Sequence, residues 1–284
     1  MIGQIRSFLL SGTALITILA LLMFVGHLLA TDDDAKKDEE KQRERQLKIM
    51  RGSAAMYAVS PAEDRKQLFK LYENAIMRFS NPVGGTKDGA IFLWSHRGRL
   101  QAIIKLYTYD NENFSHEWQS LSESALVAER EGKVIWNPTE PGVTFHELTD
   151  APKPAESAVE RLRQMKTLAG KFSSTYLVAK DSKPTELRLL IQPMFRLDAS
   201  EEAKILDGAL FGFAQGTAPM AFVLFEARGK GEGQCWYYAF ARLATGAVTA
   251  KYGDKEIYSV ARYDFRRDPQ QTFLQMHRQP VPKE

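Results

Sequence analysis

The stretch Asp88-Gly89-Ala90-Ile91-Phe92-Leu93-Trp94 decides the fold that this sequence predicts. A short apolar run, rich in aromatic and branched residues and bounded by turn-forming residues, is typical of a β-strand. The turn at 96–98 joins it to a second apolar run at 100–109, and a further turn leads to a third at 114–122. We therefore predict an antiparallel meander, in which each strand pairs with the next.

A similar pattern recurs 119 residues later, at Asp207-Gly208-Ala209-Leu210-Phe211. At the same offset, 219–228 corresponds to 100–109, and 235–238 corresponds to 116–119. Only five of the 37 positions from 88 to 124 are identical, so what repeats is the order of turns and strands. An internal duplication would give this pattern. The general likeness of any two antiparallel meanders would give it too.

Each meander is preceded by a segment with the periodicity of an amphipathic helix. Ser60-Pro61-Ala62-Glu63 has the residues of a helix start, and an apolar face continues from Leu68 to Phe79. The second predicted helix turns four residues inward, namely Val159, Leu162, Met165 and Leu168. The predicted fold class is α+β, with two similar helix-plus-antiparallel-meander units and, by fold analogy, cystatin-like curved sheets.

The chain before these units has two segments of unlike composition. No charged residue interrupts 8–30, which is long enough to span a bilayer and also resembles a secretory signal. Residues 32–51 carry seven acidic and seven basic side chains, which favours a solvated helix or a disordered spacer. We divide the chain into a signal anchor or signal peptide at 1–30, a charged stalk at 31–55, a first unit at 56–150 and a second unit at 151–284.

This leader predicts attachment to a membrane through residues 8–30, with the C-terminal body outside the cytosol. If the leader is cleaved, the body is secreted. The alternative is a cytosolic body on an N-terminal anchor, because basic residues also follow the apolar run. Cys235 is the only cysteine, so the chain forms no internal disulfide, a condition common among exported proteins of a bacterial envelope.

Charge and spacing exclude several classes of function. Lys and Arg total 38 against 35 Asp and Glu, without the basic cluster that nucleic-acid binding usually requires, so no nucleic-acid partner is expected. The histidines and the cysteine lack the paired spacing of zinc ligands, so we predict no metal and no cofactor.

No catalytic motif is present, and the candidates for acid–base catalysis are His96, His116 and Glu117, with His116 as a base in the concavity of the first sheet. His116 and Glu117 are adjacent in a predicted strand, so their side chains point to opposite faces and cannot meet at one reacting atom without a bulge. The alternative is that these are polar strand residues facing solvent.

Four aromatic residues are candidates for a groove that binds sugars, peptides or lipids: Trp94, Trp118, Trp236 and Tyr238. Aromatic side chains also dominate ordinary protein cores, which is the alternative. Asp88 and Asp207 each precede a glycine, and Asp-Gly pairs commonly form turns, so we predict that both residues shape turns.

Three motifs in the first half resemble a family of known sequences: Arg78-Phe79-Ser80-Asn81-Pro82, Asp88 to Trp94, and His116 to Leu121. Three in the second half do so as well: Leu187 to Leu190, Asp207 to Phe211, and Phe225 to Arg228. The sequence resembles an uncharacterised family of secreted or membrane-anchored proteins from planctomycete-type bacteria, over nearly all of the chain after about residue 45. The resemblance implies an exported bacterial protein and supplies no activity, cofactor or catalytic residue.

These observations lead to one function and an alternative from another class. We predict a non-enzymatic, membrane-tethered envelope protein that binds a protein or polymer partner. The alternative is an envelope hydrolase or lyase with a site near His96, His116 and Glu117. A membrane-proximal assembly scaffold is a third class, which would require a large apolar patch on one outer face.

Overall fold

A computed structural model describes residues 37–110, 112–179, 183–229, 231–266 and 268–279. The apolar run at 8–30 lies outside these residues. Among the described residues, no helix combines the length and the apolar character needed to cross a membrane. The contacts within the chain separate 1–46 from 47–284, which form two units.

The charged stretch is helical where it is described. Helix α1 covers 37–55, and its residues 37–45 are all exposed. Within the second unit, Met50 and Ala54 on the last turns of this helix are fully buried. The predicted stalk therefore ends in a helix that contributes to a core.

The first meander is present as the sequence predicts. It consists of β4 (Thr86–His96), β5 (Arg99–Thr108) and β6 (Phe114–Ser120), paired antiparallel in this order. Three more strands extend this sheet: β2 (Lys70–Leu71) and β3 (Met77–Asn81) pair with β4, and β19 (Phe273–Gln279) pairs with β6. Arg97 and Gly98 both have positive φ angles, of 52° and 84°. Such a pair of angles matches the right-handed twist of a tight hairpin.

The second meander has the same strand order. It consists of β14 (Ile205–Gln215), β15 (Ala218–Arg228) and β16 (Cys235–Arg242). Here β12 (Arg188–Leu189) and β13 (Phe195–Leu197) pair with β14, and β9 (His146–Glu147) pairs with β16. We call the sheets of the two meanders the inner sheets.

A smaller sheet accompanies each inner sheet. One consists of β1 (Tyr57–Pro61), β7 (Leu126–Arg130) and β8 (Lys133–Trp136). The other consists of β10 (Phe172–Leu177), β11 (Thr185–Glu186), β17 (Ala247–Tyr252) and β18 (Lys255–Val260), and helix α2 (Ala158–Ala169) precedes it. Mostly antiparallel sheets with two described helices confirm the sheet-rich α+β class.

The two inner sheets exchange strands across the predicted boundary at residue 150. Strand β9 comes from the first half of the chain and pairs with β16 of the second half. Strand β19 comes from the end of the second half and pairs with β6 of the first half. Each inner sheet therefore needs backbone hydrogen bonds from the other half, and residues 47–284 form a single unit.

Strand β4 is buried on both faces, which explains its continuous apolar run. Ile91 and Leu93 belong to the larger core, which also contains the apolar residues of the second inner sheet. Ala90, Phe92 and Trp94 point the other way, into a second core formed with α1 and β1. A strand buried on one face only would have alternated with polar residues.

The helix predicted from Ser60 to Phe79 is wrong. Residues of this segment form β1, β2 and β3 instead, and their amides donate to strands, as Tyr72 N does to Leu93 O at 2.9 Å. The apolar side chains are divided between two cores, with Phe69 in the second core and Phe79 in the larger one. One helix cannot deliver side chains to both faces of a sheet, so the chain is extended.

The second predicted helix is present as α2. Ser157 caps it by accepting a hydrogen bond from the Glu160 amide, as a helix N-cap should. Met165 and Leu168 are buried as predicted. Val159 is 62% exposed, so its predicted inward position is wrong.

The predicted turn role of Asp88 and Asp207 is also wrong, because both residues lie within strands and are buried. Asp88 accepts two hydrogen bonds from Arg78, at 2.9 and 2.6 Å. Asp207 accepts two from Arg196, at 3.1 and 2.7 Å, and one from Arg161 at 2.9 Å. The same bidentate ion pair thus joins β3 to β4 in the first half and β13 to β14 in the second half.

Position 89 is a glycine in a place where the Phe79 ring fills the space that a side chain would need. The two residues are partners in the pairing of β3 with β4, and a methyl group at Gly89 would overlap the Phe79 ring. In the second half, Leu197 is paired with Gly208 in the same way.

We expect Gly89→Ala to lower the free energy of unfolding by about 1–3 kcal/mol, because the added methyl group overpacks the core. Phe79→Leu in the same chain should restore part of this loss, since leucine fills that position in the second half. Urea unfolding of the full-length protein, followed by the fluorescence of its four buried tryptophans, measures both. In Gly233→Ala the new methyl group meets no atom within 4 Å, so this control should stay close to the wild type. Equal stability of Gly89→Ala and the wild type would contradict the proposed packing.

Candidate functional site

The two inner sheets leave a cleft between them with a volume of about 180 Å3. We call it the inter-sheet cleft and define it by six lining residues: Lys105, Tyr107, Glu117, Tyr176, Gln215 and Gln275. Tyr109 and Val178 also line it and are 46% and 52% exposed, so they mark its mouth. Both halves of the chain contribute to the cleft.

A buried ion pair lies on one side of the cleft. Lys105 Nζ is 2.6 Å from Glu117 Oε2, and both side chains are almost completely buried. Lys105 also donates to Leu243 O at 2.6 Å. Because a buried charge is costly unless it is paired, this geometry explains how both charges are accommodated inside the protein.

Tyr107 and Gln275 complete the network around the Glu117 carboxylate. Tyr107 donates its hydroxyl hydrogen to Glu117 Oε1 at 3.0 Å. Gln275 Nε2 donates to the same oxygen at 2.9 Å and to the Tyr107 hydroxyl oxygen at 2.7 Å. These two bonds fix the orientation of the Gln275 amide. Gln275 Oε1 is buried and accepts no hydrogen bond from any described residue.

The electrostatic environment keeps the tyrosines of the cleft protonated. Burial, followed by the charge of Glu117, raises the pKa of Tyr107 well above its usual range. Burial and the same charge also raise the pKa of Tyr176. Lys105 and Glu117 are the only ionic side chains among the described residues that line the cleft. The lining as a whole is therefore neutral and rich in hydrogen-bonding groups.

The three residues predicted for catalysis do not come together. His116 and Glu117 are consecutive in β6, and His116 faces the second core whereas Glu117 faces the inter-sheet cleft. His96 pairs with Arg99 at the end of β4. His116 lies level with Ala90 of β4, because Leu106 of β5 pairs with both residues. His96 is six positions from Ala90 along β4, which is about 20 Å in a strand.

His116 is enclosed by polar residues of the second core. Its Nδ1 is 2.7 Å from the Tyr57 hydroxyl oxygen, and its Nε2 is 3.3 Å from Ser53 Oγ. Burial, followed by the charge of Arg130, lowers the pKa of His116 to about 3. His116 is fully buried, so its interactions serve the packing of α1 and β1 on the sheet.

His96 is half-buried beside the ring of Phe69. Partial burial lowers its pKa, and the charge of Arg97 adds to this effect.

The four aromatic candidates lie in the cores. In the second core, the ring of Trp118 packs against those of Trp94 and Trp136, with ring centroids 5.0 and 5.2 Å apart. Trp236 and Tyr238 belong to the larger core and are at most 9% exposed. This location agrees with the alternative that these rings stabilise the fold.

A second depression, of about 540 Å3, lies beside residues 258–264 and 270–273. Arg242 and Arg262 are among its lining residues, and Arg242 donates to the backbone oxygens of Ala244, Gly246 and Ala261. These bonds hold neighbouring loops in place and leave Arg242 occupied. We therefore regard this depression as structural.

Sequence reasoning missed Lys105 and Gln275. A lysine in the middle of the apolar run at 100–109 was an available signal, because a charged residue in a buried strand needs a partner. The pairing of Gln275 with Glu117 joins the end of the chain to β6, and no pattern in the sequence indicated it.

No family model, curated protein or solved structure matches this chain. Within the part of the chain that the structure describes, no group of three or more His, Cys, Asp or Glu side chains is placed to hold a metal ion. The fold and the cleft define a sheet-rich α+β protein with a neutral polar cavity between two meanders.

We expect Lys105→Met and Glu117→Gln to destabilise the protein by about 3–5 kcal/mol each, because each leaves one buried charge without its partner. The double variant should be more stable than the sum of the two losses predicts, by at least about 2 kcal/mol. Urea unfolding of the four proteins gives this coupling energy. Additive losses would show that the two charges do not interact.

The pKa of His116 also predicts a pH dependence of stability. Below about pH 6.5 the unfolded chain gains a proton that the folded chain excludes down to about pH 3. Stability due to neutral His116 is therefore complete above pH 6.5 and falls as the pH drops, by up to about 1.4 kcal/mol per unit.

This part of the pH dependence should be absent in His116→Gln and unchanged in His146→Gln, since His146 is exposed. Unfolding free energies measured between pH 7 and pH 4 test the difference. Parallel curves for the wild type and His116→Gln would contradict it.

Proposed function

We propose that this chain is a non-enzymatic binding protein of a bacterial cell envelope. Residues 8–30 tether it to the membrane, and the body at 47–284 binds a protein or polymer partner outside the cytosol. The apolar run, the charged stretch after it and the resemblance to exported proteins support this location. The inter-sheet cleft is the recognition element.

The observation that carries the proposal is the polar network of the cleft. A buried lysine, carboxylate, phenol and carboxamide are held in one arrangement by hydrogen bonds between the two halves of the chain. Such preorganised polar groups in a concave site fix the orientation of a ligand. The exposed side chains of Tyr109 and Val178 beside this network provide apolar contact area.

The positions of the candidate acid–base residues argue against the enzyme alternative. The hydrolase or lyase alternative required His96, His116 and Glu117 to share a site, and these residues face different parts of the protein.

We further propose that the two halves arose by internal duplication. The common strand order and the Arg78–Asp88 and Arg196–Asp207 pairs support this. So do two reciprocal contacts of the hairpin tips: Ser200 Oγ donates to Arg97 O at 2.9 Å, and Thr217 Oγ1 donates to Ser80 O at 2.7 Å. In the second half, the position that corresponds to Lys105 at the offset of 119 residues is Leu224. The polar network of the cleft is therefore formed around the first meander and has no counterpart among the described residues of the second.

Cell fractionation tests the location. We expect full-length protein with a C-terminal tag to sediment with membranes and its body to be digested when protease is added to intact cells whose outer layer has been permeabilised. A cytosolic marker protein should stay intact in the same samples. A body that is digested only after lysis would contradict export.

Co-sedimentation with washed, delipidated and protease-treated envelope polymer tests the binding role. The wild type should pellet with the polymer, and Val178→Glu should reduce the bound fraction at least fivefold, because it puts a charge at the mouth of the cleft. Val134→Glu is the matched control, since Val134 is 43% exposed on β8 and does not line the cleft. Equal pelleting of both variants, or no pelleting of the wild type, would contradict binding of a polymer through the cleft.

A further inference from the structure

We infer that the inter-sheet cleft binds a single uncharged sugar ring at the end of a glycan chain. This inference rests on the proposed function and specifies the ligand of the same cleft.

The volume of the cleft limits the ligand to one small ring. Pockets that hold drug-sized ligands occupy about 300–1,000 Å3, so the cleft admits one end group and no longer chain.

The charges of the cleft exclude an ionic ligand. Lys105 and Glu117 neutralise each other at 2.6 Å, and no other ionic side chain lines the described cleft. A bound anion or cation would lose its hydration without gaining an unpaired charge of opposite sign. A neutral ligand avoids this cost.

The polar groups of the cleft match a ligand with hydroxyl groups. Gln275 Oε1 is a buried acceptor with no partner among the described residues, and a ligand hydroxyl would donate to it. Asn81 and Gln215 add two more carboxamides, joined to each other at 3.3 Å. A sugar hydroxyl both donates and accepts, and therefore matches carboxamides that offer both functions.

The mouth of the cleft provides an aromatic surface for the apolar face of the ring. Tyr109 is half-exposed there and packs edge-on against Tyr107, with ring centroids 5.4 Å apart. Val83, which is 80% exposed, is adjacent to Gly84 of the lining. The next sugar of the chain leaves the cleft over these exposed apolar side chains.

The test uses full-length protein in an amine-oxide detergent, because a sugar-based detergent would compete for the cleft. Saturation-transfer NMR and calorimetric titration with glucose, galactose, mannose and N-acetylglucosamine measure binding of neutral sugars. Glucuronate and glucosamine are the charged counterparts, and acetylglycinamide is a neutral probe without a sugar ring. We expect at least one neutral sugar to bind, and its charged counterparts to bind at least tenfold more weakly.

Three variants locate the binding. Tyr109→Ala and Gln215→Leu should each weaken the binding of the neutral sugar at least tenfold, and both positions are partly exposed, so the fold should persist. Tyr237→Ala removes a half-buried tyrosine that does not line the cleft and should bind like the wild type. Tryptophan fluorescence verifies that each variant is folded.

Binding of none of the four neutral sugars overturns the inference, as does equal binding by Tyr109→Ala and Tyr237→Ala. Preferential binding of acetylglycinamide would identify an amide ligand instead and would also overturn it. These outcomes are separate from failure of the proposed function. If Val178→Glu still abolishes co-sedimentation, the cleft binds a polymer that is not recognised through a neutral sugar ring.

Discussion

Burial of both faces of the inner sheets is the constraint on which the rest of this structure depends. A strand between two cores must present apolar side chains to each, which is why Ala90 to Trp94 is uninterrupted by polar residues. Any polar residue in such a strand must find a partner within the protein. The Lys105–Glu117 pair meets this requirement and at the same time furnishes the polar side of the inter-sheet cleft.

Exchange of strands β9 and β19 ties the two halves into one unit. Strands β16 and β6 of the two meanders are each paired with a strand from the other half, and β9 and β19 become edge strands of the two inner sheets. The exchange also creates the cleft network, because it brings Gln275 next to Glu117. The arrangement that holds the halves together is therefore the same one that forms the candidate site.

The histidines show why residue type alone was a poor guide to function here. His116 is enclosed by the Tyr57 and Ser53 hydroxyl groups in a core, where a pKa of about 3 keeps it neutral. The carboxylate beside it in sequence reaches the cleft because neighbouring side chains of a strand point in opposite directions. The sequence already indicated this separation, and it could not indicate which of the two faces a cavity.

The sequence by itself determined the strands of both meanders, the turn at 96–98 and helix α2, because these depend on local propensities and on residues close in the chain. Only the tertiary structure decided the segment from Ser60 to Phe79, where local helical periodicity yielded to the demand of two cores for side chains on opposite faces. It also decided that Asp88 and Asp207 bind arginines rather than shape turns, and that Gln275 meets Glu117. Gln275 and Glu117 are 158 residues apart in sequence, and the pairs Arg78–Asp88 and Arg196–Asp207 each join neighbouring strands. Burial and pairing select these contacts, and no local pattern in the sequence records either.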